Sequence, residues 1–269
     1  FSRNGEVSQK INELTSNPKK GHAMNLENKV AIITGSSRGF GKKIAETLSG
    51  YGADVVITYL QGDETEAQNA KKVAENIGAK LVLPLEVRDR KSVKNLMKTV
   101  NDEYEHIDIL VNNAGINIVG DFDQITEEDW QAVLDVDLKG VFICCQEVLP
   151  YLRDSGRIIN IGSVSGQYGG PRTPSYACAK AGVMALTHCL ARFIGKRNIT
   201  VNCVSPGTIA SDMLDNTMPQ SLKDTVLPMV LLNRLGKVDE VSETVAFLAS
   251  EGGGYITGQT IAVNGGLWV

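Results

Sequence analysis

Tyr176-Ala177-Cys178-Ala179-Lys180 puts a phenol and an ammonium four positions apart. On a helix those positions share a face, so the two groups point the same way. A free phenol, with a pKa near ~10, is a poor acid–base group at neutral pH. A neighbouring cation stabilises the phenolate and brings the group toward the working range. The spacing alone also describes an ordinary surface pair. Ser163, in Ile161-Gly162-Ser163-Val164-Ser165-Gly166, follows a β-branched run. Ligands of open α/β sheets bind at the carboxyl ends of strands. A hydroxyl there can polarise a carbonyl and stabilise developing oxyanion charge. Ser165 is the neighbouring alternative, and Ser163 is preferred on spacing.

A second constellation lies upstream. Thr34-Gly35-Ser36-Ser37-Arg38-Gly39-Phe40-Gly41 sits between a first strand and a first helix. Three glycines allow a sharp turn and close approach of a pyrophosphate. The helix that follows aims free N–H groups at that anion. Glycines also make plain turns, but the position after a buried first strand favours the phosphate loop. An acid at the end of the second strand would bond a ribose 2′-hydroxyl and repel a 2′-phosphate. That place holds Tyr59, followed by Leu60 and Gln61, so NADP is permitted. Arg38 can pair with the extra phosphate, unless it is only a solvated surface cation.

These groups need a frame. Short β-branched runs alternate with amphipathic stretches: strands at 30–34, 55–58, 81–85, 109–111, 157–161, 200–204 and 260–263. Helices are expected at 41–51, 63–77, 91–104, 126 to about 152, 175–196 and 239–250. Asp63 and Glu66 have N-cap spacing at the second helix. Runs such as Val30-Ala31-Ile32-Ile33 are apolar without alternation, as strands covered on both faces are. The β-then-α order predicts a single doubly wound α/β domain, with a parallel sheet of about seven strands and helices on both faces. Asn112-Asn113-Ala114-Gly115 ends the central strand, and Pro206-Gly207 stops the sixth.

The chain has 269 residues, 42% of them apolar, with 27 Lys plus Arg against 31 Asp plus Glu. A net charge of −4 removes a basic nucleic-acid footprint as the default. No Cys-x-x-Cys pair occurs and there are three histidines, so no metal site is expected. Cys144, Cys145, Cys178, Cys189 and Cys203 read as buried free thiols in a reducing, cytoplasmic setting. No apolar run approaches the ~18 residues of a membrane span. Residues 1–24 are polar and are expected to be a loosely packed leader or appended segment. An organelle stays open if they are a leader remnant. The folded domain is expected over 25–269.

Together the motifs resemble the short-chain dehydrogenase/reductase family over about 25–269. The glycine loop resembles its Thr-Gly-x-x-x-Gly-x-Gly fingerprint, with Phe40 in place of the usual Ile. Asn113, Ala114 and Gly115 match its Asn-Asn-Ala-Gly. Ser163, Tyr176 and Lys180 match its catalytic residues, and Pro206, Gly207 and Ile209 its nicotinamide-side segment. Glu86-Val87 stands where Asp-Val commonly touches adenine. The ending Val263-Asn264-Gly265-Gly266 is similar to the 3-oxoacyl-acyl-carrier-protein reductases of that family.

The resemblance implies a Rossmann-type, NADP(H)-preferring carbonyl reductase, with NAD(H) still admissible. Bound cofactor would touch Gly35, Ser37, Arg38, Gly39, Phe40, Gly41, Tyr59, Glu86, Val87, Tyr176 and Lys180, besides the matches just named. Ser163 would hold the carbonyl oxygen, Tyr176 would donate the proton, and Lys180 would support Tyr176 and the ribose. A fourth catalytic position, usually Asn, is Asp137 here; a shifted register would instead make it a surface helix residue. The alternatives are an NAD-dependent alcohol, sugar or steroid dehydrogenase, and a non-enzymatic dinucleotide sensor. Expected partners are a small carbonyl or alcohol, an acyl-carrier protein, and copies of the chain in a homotetramer, with no nucleic acid and no membrane. Lys139, Arg172 and Lys196 are candidates to meet an acidic carrier. The apolar stretch 208–234, with Met213, Leu214, Met218, Leu222, Val226, Leu227, Met229, Leu231 and Leu232, reads as a cover over the site.

Overall fold

In the computed structural model, residues 24–170, 172–210 and 225–269 are described. The expectations for the leader up to residue 23, and for Met213, Leu214, Met218 and Leu222, lie outside them.

Seven parallel strands form one sheet in the order β3-β2-β1-β4-β5-β6-β9. They are β1 (Val30–Ile33), β2 (Asp54–Leu60), β3 (Leu81–Leu85), β4 (Ile107–Asn112), β5 (Leu152–Ile161), β6 (Thr200–Pro206) and β9 (Thr260–Val263). Between them run α1 (Gly39–Gly50), α2 (Glu64–Ile77), α3 (Arg90–Tyr104), α4 (Glu127–Leu134), α5 (Val141–Val148), the short α6 (Ser165–Tyr168), α7 (Pro174–Ile194) and α8 (Val238–Ala249). A two-strand parallel pair, β7 (Ile209–Ala210) with β8 (Gly236–Lys237), completes the described strands. This is the Rossmann-type sheet expected from the alternation.

The buried strand run shows why. Val30 and Ile32 belong to one core cluster, and Ala31 and Ile33 to the other. Each strand therefore feeds two apolar layers, and alternation disappears from the sequence. The order reverses at β1, whose neighbours are β2 and β4. That switch point opens a crevice at the strand ends, where ligands of such sheets bind.

Four local expectations change. The helix opened by the Thr126 cap does not run to Leu152. It ends at Val148, and Leu152 already pairs with Ile107 in the sheet. Pro206 lies inside β6 and pairs with Val263, because the strand needs no donor from it at the sheet's end. Cys178 and Cys189 are exposed, since both lie on the outer face of α7, while Cys144, Cys145 and Cys203 are buried. Residues 174–197 are long and apolar enough to cross a membrane by length and composition, although only a third of that stretch is buried. Lys180 and Thr187 tie this helix to the sheet, through Ile161 and Asn160.

Candidate active site

The glycine loop is a folded cradle. Gly35 and Gly39 have φ of +65° and +57°, a region that L side chains rarely adopt. A Cβ on Gly41 would run into the Gly35 carbonyl oxygen and lie 2.5 Å from Asn113 Nδ2. Asn113 in turn donates to the Thr34 and Gly35 carbonyls at 2.9 and 3.0 Å. Thr34 Oγ1 accepts from the Asn113 and Ala114 amides, both at 2.9 Å. Thr58 on β2 receives the Gly35 amide at 2.9 Å. The ends of β1, β2 and β4 are thus laced into one rim. The α1 N-cap is Arg38, whose side chain caps nothing. The first-turn amides of α1 therefore stay available to an anion. The cradle fits a dinucleotide pyrophosphate.

The sequence-level cofactor set divides around this rim. Ser36 and Ser37 are buried, and Arg38 is exposed. Glu66 of α2 reaches back to the loop, taking the Ser37 hydroxyl and an Arg38 Nε contact at 2.6 Å. Arg38 is therefore neither free nor simply solvated, and sequence reading gave Glu66 only a place beside the Asp63 cap. That cap is present, with Asp63 Oδ1 accepting the Glu66 amide at 2.9 Å. Tyr59 lies in β2, paired with Pro84. Glu86 is turned to Arg88, with contacts of 2.9 and 2.6 Å that hold its carboxyl below the usual range. Val87 is buried under Gly140, where a Cβ would come within 2.8 Å of it.

The second half of the site forms where β5, β6 and α7 meet. The Val164 amide donates to the Pro206 carbonyl at 2.9 Å, which sets the Ser163 turn beside Pro206-Gly207. Gly166 lies flat on α7; a Cβ there would sit 2.8 Å from the Lys180 carbonyl carbon. Ser163 is half-buried, and its Oγ accepts the Ser165 amide at 3.1 Å. Ser165 thus orients Ser163 through its backbone. Thr173-Pro174 opens α7 with proline at the first turn, where its missing N–H costs nothing. Tyr176 and Lys180 follow on one face, with Lys180 Nζ 5.4 Å from the Tyr176 ring centre.

Lys180 is buried and donates to the Ile161 carbonyl at 3.0 Å. Its other partner is Asp137 Oδ2 at 3.1 Å. Asp137 is fully buried, which excludes the surface-helix alternative. Its Oδ1 accepts the Ile116 amide at 2.7 Å. The carboxylate reaches inward because α4 passes into α5 through a π-helical turn, Asp135–Gly140. Such a turn inserts an extra residue and re-aims side chains, and recurs at functional sites. Gly182 on α7 admits this turn, since a Cβ there would meet Leu138 at 2.9 Å. Burial lowers the Lys180 ammonium, but Tyr176 and Asp137 outweigh it and hold it above its usual value. Burial pushes the Asp137 carboxyl up, opposed by Lys180 and the Ile116 amide.

A family model described as "Enoyl-(Acyl carrier protein) reductase" matches residues 35–268. The 3-oxoacyl-[acyl-carrier-protein] reductase FabG of Staphylococcus epidermidis is 42% identical over 248 residues, covering 90% of this chain and 100% of its own. The chain belongs to the short-chain dehydrogenase/reductase family. It is an oxidoreductase of that family. The FabG of Thermotoga maritima is 40% identical over 91% of this chain and 99% of its own. Among solved family structures, a short-chain dehydrogenase from Burkholderia cenocepacia in complex with NADP superposes with a TM-score of 0.83 at 34% identity, covering 90% of this chain and 99% of that one. A blue fluorescent protein from a metagenomic library, in complex with NADPH, gives 0.84 at 33%, covering 91% of this chain and 100% of that one.

Lys139 is paired with Asp135 at 3.1 Å, and exposed Arg172 with Asp121 at 2.7 Å. Ile209 is buried in β7. Beyond it, Met229, Leu231 and Leu232 are exposed, while the Leu232 amide donates to Gly265 at 3.0 Å.

Proposed function

We propose that this chain, as one catalytic domain over 25–269, reduces a carbonyl carbon with NADPH, a 3-oxoacyl thioester being the substrate class favoured by its relatives. The observation that carries the chemistry is the buried Lys180, held by Asp137 and Ile161 beneath Tyr176. The Gly35–Gly41 cradle and the α1 N-terminus hold the pyrophosphate, with Asn113, Ala114 and Gly115 closing its floor. The bound dinucleotide supplies the hydride. Ser163 donates to the carbonyl oxygen, and Tyr176 gives that oxygen its proton. Lys180 presents positive charge to the phenol and to the ribose. Pro206-Gly207 lines the nicotinamide side.

The family model's description names reduction of a carbon–carbon double bond, whereas the relatives' names give a 3-oxo group. A hydroxyl beside a supported phenol suits an oxygen acceptor, which favours the carbonyl. Exposed Met229, Leu231 and Leu232 suit an acyl chain near the crevice. A second reading, NAD-dependent alcohol oxidation at the same residues, draws support from the Glu66 contact on Arg38. Assembly into a homotetramer, docking of an acyl-carrier protein and a reducing, cytoplasmic setting belong to the same proposal; free cysteines fit the last.

The test is NADPH and NADH oxidation with an acetoacetyl thioester, a cyclic ketone, an aldehyde and a quinone. Thioester turnover with NADPH supports the acyl assignment; turnover of only the others discards it. Tyr176→Phe should keep NADPH binding and lose roughly 10²–10⁴-fold in kcat. Near-normal turnover in that variant would sink the mechanism.

A further inference from the structure

The end of β2 lacks the acid that reads a ribose 2′-hydroxyl, yet a carboxylate reaches the adjoining loop from elsewhere. Glu66, in the first turn of α2, binds both side chains placed to meet a 2′-phosphate: the Ser37 hydroxyl and the Arg38 guanidinium, the latter at 2.6 Å. Its own side chain is only 14% exposed, against 63% for Arg38. Asp63 Oδ1 fixes its backbone amide at 2.9 Å. The carboxylate is therefore the better-anchored partner, and Arg38 comes to it. In this state one unit of positive charge and one hydroxyl donor are already spent.

From this geometry we infer that Glu66 determines cofactor specificity, acting as the α2-borne counterpart of the missing β2 acid. The inference rests on the Gly35–Gly41 loop being the dinucleotide cradle. A 2′-phosphate must open the Glu66 contacts to reach Ser37 and Arg38, and it then faces a fixed carboxylate. A 2′-hydroxyl meets no such opposition, and it can donate a hydrogen bond to the carboxylate. Glu66 thus narrows the preference for NADP(H) that Arg38 creates. It is a specificity residue of the adenosine end, remote in role from Tyr176.

Fragments that lack nicotinamide isolate this effect from turnover. The binding of adenosine 2′,5′-bisphosphate and of adenosine 5′-monophosphate would be measured calorimetrically on the full chain. Glu66→Gln keeps the size and a carbonyl acceptor, and Glu66→Ala removes both. Both should raise the bisphosphate-to-monophosphate affinity ratio by about three- to tenfold, the range of a partly exposed ion pair and its hydrogen bond. NADPH over NADH should shift the same way. Arg38→Ala should lower the ratio in wild type. An unchanged ratio in both Glu66 variants, with Arg38→Ala still lowering it, overturns the role of Glu66 and leaves the cradle standing. An unchanged ratio in Arg38→Ala as well overturns the cradle reading of this loop and the inference with it.

Discussion

At the residue scale, Asp137 stands where the family resemblance implies Asn, and its surroundings show what a carboxylate does there. An amide at that place would offer Lys180 a neutral acceptor. A carboxylate gives it an ion pair, in a site with no water-exposed surface on either side chain beyond a few per cent. Desolvating two charges is expensive, and breaking such a pair by removing one partner costs about 3–5 kcal/mol. Asp137→Leu strands the Lys180 ammonium and also orphans the Ile116 amide, so it should lower stability by about that amount in urea unfolding. Asp137→Asn should cost much less, because its carbonyl can still accept from Ile116 or Lys180. Equal losses in the two variants would mean that the negative charge, which both remove, outweighs the hydrogen bonds that Asn can keep. Lys180 adds a pH dependence of known sign. Its raised pKa means that the folded chain keeps a proton the unfolded chain would lose. That contribution is complete below 10.5 and fades as the pH climbs through the raised value.

At the element scale, the site depends on devices of unequal visibility. The glycine loop and the strand ends were legible, because an anion cradle demands glycine and a doubly covered strand demands an unbroken apolar run. The Asp63 N-cap was legible for the same local reason, and it accepts the expected amide. The π-helical turn was not. Asp135–Gly140 has ordinary helical residues, and the turn is selected by tertiary packing of Gly140 on Val87 and of Leu138 on Gly182. Glu66 was visible only as a cap neighbour, since its contact with Ser37 spans 29 positions and requires β1 and β2 to be adjacent.

The entry to α8 is another such device. Glu240 binds Arg234 at 2.9 and 2.6 Å and accepts the Lys237 amide at 2.7 Å, clasping the start of α8. Arg234 and that amide depress its carboxyl to about 2. A depressed acid stabilises above its ordinary value of 4.5, and the benefit disappears as the pH falls through about 2. Hydrogen exchange should therefore show protection at Lys237 falling as pH drops from 4.5 toward 2. Glu240→Gln should begin with lower protection and lose little more. A wild-type protection factor that stays flat across that window would remove the clasp from the account of this segment.

At the scale of the whole molecule, α7 poses the remaining question. It carries Tyr176 and Lys180 on its inner face and is anchored to the sheet by Thr187, whose hydroxyl takes the Asn160 amide at 2.9 Å. Its length and composition would allow a membrane crossing, whereas these bonds tie it to the sheet. Its outer face nevertheless presents Cys178, Ala181, Ala185, Cys189 and Phe193, all exposed, Phe193 at 75%. Small residues at helical spacing let another helix come close, and a repeated face of this kind fits an isologous contact between copies. Phe142 on α5 and Trp130 on α4 are exposed as well. The proposed assembly is then a condition for the active helix to be covered, and its disruption should spare the cradle, which lies at the strand ends. Ala185→Arg places a cation in the centre of that face. Sedimentation velocity should show wild type as a multiple of the 29.0 kDa chain and the variant as the single chain, each still binding NADPH. A wild type that sediments at 29.0 kDa would remove the assembly, and a variant of unchanged wild-type mass would put the contact on another face.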